Sequence, residues 1–282
     1  MNEEDRDLVI QRILVALDAS PHSLAALEAA AELAARLKAE LLGLFVEDVT
    51  LLRLTELPFS QEIGLFSTTR RQLGSAQLER QFRAQAGRMR QRLARIAGRQ
   101  QIPWSFRVVR GVIASELLQA ALEADLLILG RTGGSLTKRR RLGSTARAIL
   151  TQAPRLTLIL QHGTQLGLPV VVMYDGSVAA QRALAVAAYL VQEQNGYLRV
   201  LTLAGGSDEA HHLAQQVDTW LQAQDLTAHY RWLDSARLSR LAHLVQLEQG
   251  GVLVLPAETP NLQGEVLLDL LDEIDCPILL VR

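Results

Sequence analysis

Short apolar runs alternate with longer stretches of helical periodicity along this chain, and the whole alternation occurs twice. In the first half, nearly unbroken apolar runs at 12–17, 40–46, 104–109, 126–129 and 155–160 predict strands. Runs of this kind belong to parallel sheets, whose strands are covered on both faces and so lose the polar–apolar alternation of half-exposed strands. Helices are predicted between them, near 21–38, 75–98, 113–123 and 144–152. The second half repeats the order, with strands at 169–174, 197–203, 227–233, 252–255 and 277–281. Its helices are predicted near 178–192, 208–224, 237–248 and 262–273. Such alternation implies right-handed crossovers and an α/β fold of two tandem, doubly wound parallel sheets with five strands each. Ligands of these sheets bind at the carboxyl ends of the strands, where strand order reverses. The residues following strands one, two and four are therefore the place to look for chemistry.

The repetition extends to residues. Residues 13–34 (ILVALDASPHSLAALEAAAELA) and 170–191 (VVVMYDGSVAAQRALAVAAYLV) share 8 of 22 positions without a gap. Helices rich in Ala and Leu resemble one another by composition, so the shared turns Asp18-x-Ser20 and Asp175-x-Ser177 weigh more. The ends of the halves correspond as well: ADLLILG (124–130) with GGVLVLP (250–256), and APRLTLIL (153–160) with CPILLVR (276–282). A tandem duplication follows, with units 1–162 and 168–282 and a linker from His162 to Leu168.

Composition bounds the function. Of 282 residues, 49% are apolar and 21% charged, enough for sizeable cores and far from the signature of disorder. The net charge of −1 excludes a chain that is basic overall, but it conceals an asymmetry. Residues 1–160 carry 23 basic and 16 acidic side chains, a net +7, whereas 161–282 carry 6 and 14, a net −8. The single cysteine, Cys276, forms neither an internal disulfide nor a thiolate cluster, which fits a reducing compartment. The acidic start, MNEEDRD, lacks the basic and apolar segments of a secretory signal. The longest uncharged stretch, Leu156 to Tyr174, is interrupted by Gln161, His162, Gly163 and Pro169, and reads as two strands and a linker rather than a membrane span. A soluble, cytoplasmic protein is expected.

The densest chemistry follows the fourth strand: Gly130-Arg-Thr-Gly133-Gly134-Ser-Leu-Thr-Lys-Arg-Arg-Arg-Leu-Gly143-Ser144-Thr145. Glycines let backbone N–H groups converge on an anion. Gly143-Ser144 opens a helix, whose first N–H groups also favour a phosphate. The bland alternative is a surface loop in which Ser144 only caps the helix. The spacing is neither that of a P-loop nor that of the dinucleotide fingerprint.

It is G-x2-G-x9-G-S, and with the opening ILVALDAS-P-x-S it resembles the universal stress protein family, in its nucleotide-binding branch. The resemblance covers the chain as two tandem copies and implies the adenine nucleotide alpha hydrolase-like, flavodoxin-like sandwich. It further implies a stress-response protein that binds ATP, or AMP or ADP, with Mg²⁺ held chiefly by phosphate oxygens. Carried over by position, Ala16, Leu17 and Asp18 stand at the adenosine, with Val46 at the adenine. Leu129 and Gly130 line the ribose, and Gly133 meets the phosphates, with Thr132 a minor contact. Gly143, Ser144 and Thr145 take the polyphosphate end. The family also implies that two tandem units pack as a dimer does, edge strands together, and leaves a further homodimer of whole chains open.

The second copy departs from the pattern. Pro256, with no N–H to donate, replaces the first motif glycine, the segment is shorter, and Glu258, Glu265 and Asp269 bring negative charge. One nucleotide per chain is the expectation, in the first half.

Other features have ordinary uses. Lys138-Arg139-Arg140-Arg141 has four charges and no interleaved aromatics, so it reads as a solvated or phosphate-steering loop rather than a nucleic-acid contact. Seven arginines from Arg80 to Arg99 lie on a helix whose apolar residues Leu78, Phe82, Met89, Leu93 and Ile96 share one face, suited to covering a sheet rather than a membrane. The stretch 50–74 has weak periodicity and reads as a lid or a partner-contact loop. His211 and His212 point about 100° apart on a helix, poor geometry for one metal. His22 is expected to be an exposed helix-start residue and Cys276 a buried structural thiol. No catalytic residue stands out. Three readings compete: nucleotide binding with signalling through an unknown protein partner, a slow ATPase or autophosphorylating protein using Ser144 or Thr145, and a ligand-free adaptor with an acidic second half.

Overall fold

The first half runs β1 (Arg12–Leu17), α1 (Pro21–Leu37), β2 (Glu40–Asp48), α2 (Val49–Thr55), β3 (Gln61–Ile63), β4 (Arg70–Gln72), α3 (Ser75–Gln100), β5 (Trp104–Gly111), α4 (Ile113–Ala121), β6 (Leu126–Gly130), α5 (Ser144–Leu150) and β7 (Leu156–Leu160). The second runs β8 (Val170–Tyr174), α6 (Val178–Gln192), β9 (Leu198–Ala204), α7 (Ser207–Gln222), β10 (Ala228–Asp234), a 3₁₀ turn (Ser235–Arg240), α8 (Leu241–Leu247), β11 (Val252–Pro256), α9 (Gly264–Glu273) and β12 (Ile278–Val281). This computed structural model describes residues 10–55, 61–63, 70–72, 74–131, 142–152, 156–160, 166–192, 197–248, 251–259 and 262–282, with 61–63 and 70–72 as backbone alone. The motif residues Thr132, Gly133 and Gly134 and the basic run 138–141 lie outside them.

Apart from the β3–β4 hairpin, the strands form one ten-stranded sheet in the order β10-β9-β8-β11-β12-β7-β6-β1-β2-β5. Each half therefore has the same internal order, third, second, first, fourth and fifth strand, with the reversal between its first and fourth. Neighbours pair in parallel except at the centre, where β7 and β12 run antiparallel with Ile159 opposite Ile278 and Leu156 opposite Val281. The two five-stranded sets are thus one mixed sheet. The last strand of each half would otherwise leave a row of N–H and C=O groups unpaired, and each supplies the other's partners.

Local signals explain the element ends. Ser20 accepts the Ser23 N–H at the start of α1, Pro21 occupies the first turn, and Lys38 ends the helix in the left-handed region with φ of 54°. In α3, Leu78, Phe82, Met89 and Leu93 are buried against the sheet, while all seven arginines from Arg80 to Arg99 are exposed. The helix predicted over 237–248 is instead divided. Asp234 caps a 3₁₀ turn, Arg237 (φ −124°, ψ 35°) breaks the helical path, and α8 begins at Leu241. Residues 50–55, read as loop from the sequence, complete a short helix that starts where Asp48 accepts the Thr50 N–H at 2.8 Å.

One continuous core lies on the face covered by α1, α3, α6 and α7. The opposite face is divided into a cluster under α4 and a second under α8 and α9. Leu142, Ala146 and Leu150, from the first half, belong to that second cluster with Leu267, Leu270 and Leu271. Cys276 packs at its edge, and burial pushes its thiol up to about 11. Because the thiolate is the reactive form, iodoacetamide at pH 8 is expected to alkylate the native chain at least ~10-fold more slowly than the denatured chain, as read by mass spectrometry. Equal rates would show the thiol to be open to solvent.

Candidate functional site

Strands β1 and β6 are adjacent, but the chain leaves β1 for α1 on one face and leaves β6 for α5 on the other. At this divergence a cleft of about 310 Å³ opens at the carboxyl ends of the strands. Its floor is aliphatic: Ala16, Leu44, Val46, Ile113, Leu117 and Leu129. Its rim is polar, with Asp18, Ser20, Ser23, Ser144 and Thr145, and Arg131 also borders it, with its guanidinium directed elsewhere. Of the residues singled out from the sequence, Ala16, Leu17, Asp18, Val46, Leu129, Gly130, Gly143, Ser144 and Thr145 all border this one cleft. Sequence reasoning missed Leu44, Ile113 and Leu117 as site residues, and likewise Ser20, Ser23, Arg131 and Ala146. Leu44 stands two residues before Val46 and shares its face of β2, so strand periodicity could have found it. Ile113 and Leu117 are one turn apart on α4, the spacing of a helix face.

The Asp18 turn is built by hydrogen bonds. The Ser20 N–H donates to Asp18 Oδ1 at 2.8 Å, the Asp18 N–H donates to Ser23 Oγ at 2.9 Å, and the Ser23 N–H donates to Ser20 Oγ at 3.2 Å. The second half reproduces the device: the Ser177 N–H donates to Asp175 Oδ1 at 3.0 Å, and Ser177 Oγ accepts the Ala180 N–H at 3.1 Å. Asp-x-Ser therefore starts a helix in both halves, and any ligand contact of Asp18 comes in addition to that structural use.

Gly130 is required by a close approach. A Cβ there would lie 3.0 Å from the carbonyl carbon of His22, so the first turn of α1 rests directly on the tip of β6. For the same reason His22 is half-buried rather than exposed. Gly143 is different, because its extended backbone (φ −62°, ψ 156°) is open to any residue. Its N–H donates to the Arg131 carbonyl at 2.9 Å, while the Arg131 N–H donates to the Leu160 carbonyl at 2.7 Å, joining both ends of the motif to the β6–β7 edge.

Arg131 turns away from the cleft. Its buried guanidinium donates to the carbonyls of Ile274 and Asp272, each at 2.5 Å, in the second half. The Asp272 carboxylate in turn accepts the Leu142 N–H at 2.6 Å and pairs with Arg147 at 2.5 Å.

At the corresponding place in the second half, the described residues are packed together as buried apolar side chains. Met173 occupies in β8 the place that Ala16 occupies in β1, and Leu203 in β9 the place of Val46 in β2. Both are buried in one cluster with Leu201, Leu233, Leu241, Leu255 and Leu262. Thr259, fully buried, closes the end by donating its hydroxyl to the Pro256 carbonyl at 3.2 Å. Glu258, Glu265 and Asp269 are exposed outside this plug. His211 and His212 each meet a glutamine one turn on, Gln215 and Gln216, at 3.0 and 3.1 Å. Among the described residues no group of three His, Cys, Asp or Glu side chains could hold a metal ion, and no helix is long and apolar enough to cross a membrane.

Sheet order and cleft together define a doubly wound α/β protein with a crevice at the strand-order reversal. The model of the universal stress protein family, a stress-response family, matches residues 10–161, and the chain belongs to that family. Among solved structures, a universal stress protein from Archaeoglobus fulgidus DSM 4304 is similar over 96% of this chain and 98% of its own, with a TM-score of 0.76 at 16% identity. A functionally unknown protein from Pseudomonas aeruginosa PAO1 covers 97% and 93%, with a TM-score of 0.58 at 14% identity. The cytoplasmic domain of a prokaryotic cation chloride cotransporter covers 96% and 95%, with a TM-score of 0.54 at 13% identity. At these identities the likeness concerns the fold. No curated protein matches the chain.

Proposed function

We propose that this is a cytoplasmic stress-response protein of two duplicated units, 1–162 and 168–282, that binds one adenine nucleotide, ATP foremost, in the first unit and signals through nucleotide-dependent contacts with a protein partner. The observation that carries the reading is the division of one cleft into an aliphatic floor and a polar rim at the strand-order reversal. A cleft of about 310 Å³ stands at the small end of ligand sites and suits a nucleoside, with phosphates leaving over the rim. Ala16, Val46, Ile113 and Leu129 would cover the faces of adenine by apolar contact. Gly130 brings backbone close to the ribose, and the Ser144 and Thr145 hydroxyls face the phosphate end, where Gly133 and Thr132 complete the motif in sequence.

Magnesium fits the same arrangement as a companion of the phosphates. Asp18 is the one carboxylate among the lining residues, and one of its oxygens is already engaged by the Ser20 N–H. Phosphate oxygens and water would therefore supply most ligands of the ion. The lack of any other acid or histidine among the lining residues also favours binding over turnover, since hydrolysis needs a group that positions the attacking water.

Calorimetric titration with Mg-ATP tests the proposal. One site per chain is expected, with an affinity in the micromolar range or tighter, about −8 kcal/mol or more favourable. Two equivalent sites, or none in protein freed of co-purified nucleotide, would overturn it. Steady phosphate release above background would transfer the chain to the ATPase reading.

A further inference from the structure

The phosphate-side wall of the cleft is held from the other half of the chain. Residues 142–147 follow the motif and carry Gly143, Ser144 and Thr145, yet their anchors are not confined to the first half. Asp272, near the end of α9, uses both carboxylate oxygens on them, Oδ1 on the Leu142 N–H and Oδ2 on the Arg147 guanidinium. The carboxylate is only 13% exposed, so these contacts form largely away from water, where a charge-assisted hydrogen bond is stronger. The Arg131 guanidinium crosses the same boundary to the backbone carbonyls of Asp272 and Ile274. Leu142 and Ala146 complete the contact by packing into the second half's apolar cluster. Sequence separation of 130 residues between Leu142 and Asp272 makes this a contact between the duplicated halves rather than a local turn.

We infer that Asp272 is a positioning residue for the polyphosphate end of the cleft, so that the half with the filled crevice sets the affinity of the other half for ATP. The inference rests on the nucleotide reading above and deepens it. Asp272 touches no ligand. It acts through Leu142 and Arg147, fixing the backbone that precedes Ser144 and the helix turn that follows it. Since the adenosine end of the cleft is built from β1, β2, α4 and β6, its affinity for a nucleoside is independent of the clamp. The coupling also works in reverse, because ATP bound against residues 143–145 stabilises the same inter-half contacts by the same factor.

Asp272→Ala separates these statements: it also removes the 4.0 Å ion pair between Asp272 Oδ1 and the Arg131 guanidinium, but it leaves both carbonyl contacts of Arg131 and the bond from Arg282 to the Leu150 carbonyl in place. In calorimetry, Mg-ATP is expected to bind this variant about 10-fold more weakly, because both hydrogen bonds of the carboxylate are lost, with adenosine within about twofold of the parent chain. Hydrogen exchange of the ligand-free chain, followed by mass spectrometry, is expected to be about 10-fold faster in peptides covering 142–150. Arg147→Gln, which spares the bond to Leu142, is expected to move both readouts the same way by less, and it serves should Asp272→Ala fold poorly. Unchanged exchange over 142–150 overturns the inference, and so does an equal weakening of ATP and adenosine. If the parent chain takes up no nucleotide, the proposed function falls, while the exchange experiment still decides whether Asp272 positions this segment.

Discussion

An Ala16→Phe chain is expected to keep its fold and lose ATP. Ala16 is half-buried at the end of β1, its methyl facing the cleft and packed beside the cluster that holds Leu14, Leu44 and Leu129. A benzyl group there points into open volume rather than into a closed core, so the usual cost of overpacking is largely avoided and stability should change by under about 1 kcal/mol. The ligand meets a different situation. On the proposed reading, the ring would take the place of adenine on the aliphatic floor of a cleft with only about 310 Å³ to offer. ATP affinity should fall at least about 100-fold, a loss of ~2.7 kcal/mol. Calorimetry together with a thermal melt checks both halves of the statement. ATP binding within about threefold of the parent chain would move the nucleotide elsewhere on the molecule. The second half already contains this substitution in another form, with Met173 at the corresponding position and the crevice closed.

The largest effect on stability is expected at the opposite end of the sheet. Gly251 precedes β11, and its N–H donates to the Pro169 carbonyl at 2.9 Å, locking the start of β11 against the start of β8. A Cβ at Gly251 would lie 2.6 Å from the Leu168 nitrogen and closer still to the carbonyl group of Gly167. These neighbours are backbone, so no side chain can rotate away to make room. Gly251→Ala is expected to cost about 3 kcal/mol or more, the upper end of overpacking penalties. In a chain of this size that lowers the melting temperature by on the order of 10 °C. ATP affinity of the folded protein should be unchanged, because the cleft opens at the other ends of the strands. A melting temperature within about 2 °C of the parent would show that the two backbones part easily.

Much of this was legible in the sequence, for physical reasons that differ from element to element. The bounds of β1 were readable because apolar residues fill it and a Ser-Pro helix start follows directly. The nine cleft residues were readable because the glycine motif and the Asp-x-Ser turn resemble those of the universal stress protein family, and that resemblance implies their place. The antiparallel joint between β7 and β12 was not, because the apolar runs of those strands carry no mark of direction. Asp272 was hidden for another reason. It sits among acidic residues whose sum suggested repulsion of phosphate, and only the fold reveals that this carboxylate turns towards the first half. The filling of the second crevice left a signal that could have been used: Met173 against Ala16 and Leu203 against Val46 replace small or medium side chains by longer ones on the same face.

The joint at β7 and β12 has a consequence for how the two halves can differ. Were the halves separate molecules meeting edge to edge, their association would weaken on dilution, and both copies would carry every substitution alike. Within one chain the partner is always present at a high effective concentration. Each half is free to take changes that the other does not share. One crevice can stay open to solvent and the other can be plugged with leucine without any loss of pairing across the centre. An asymmetric molecule that persists at the lowest cellular abundance is what a covalent sheet of ten strands makes available.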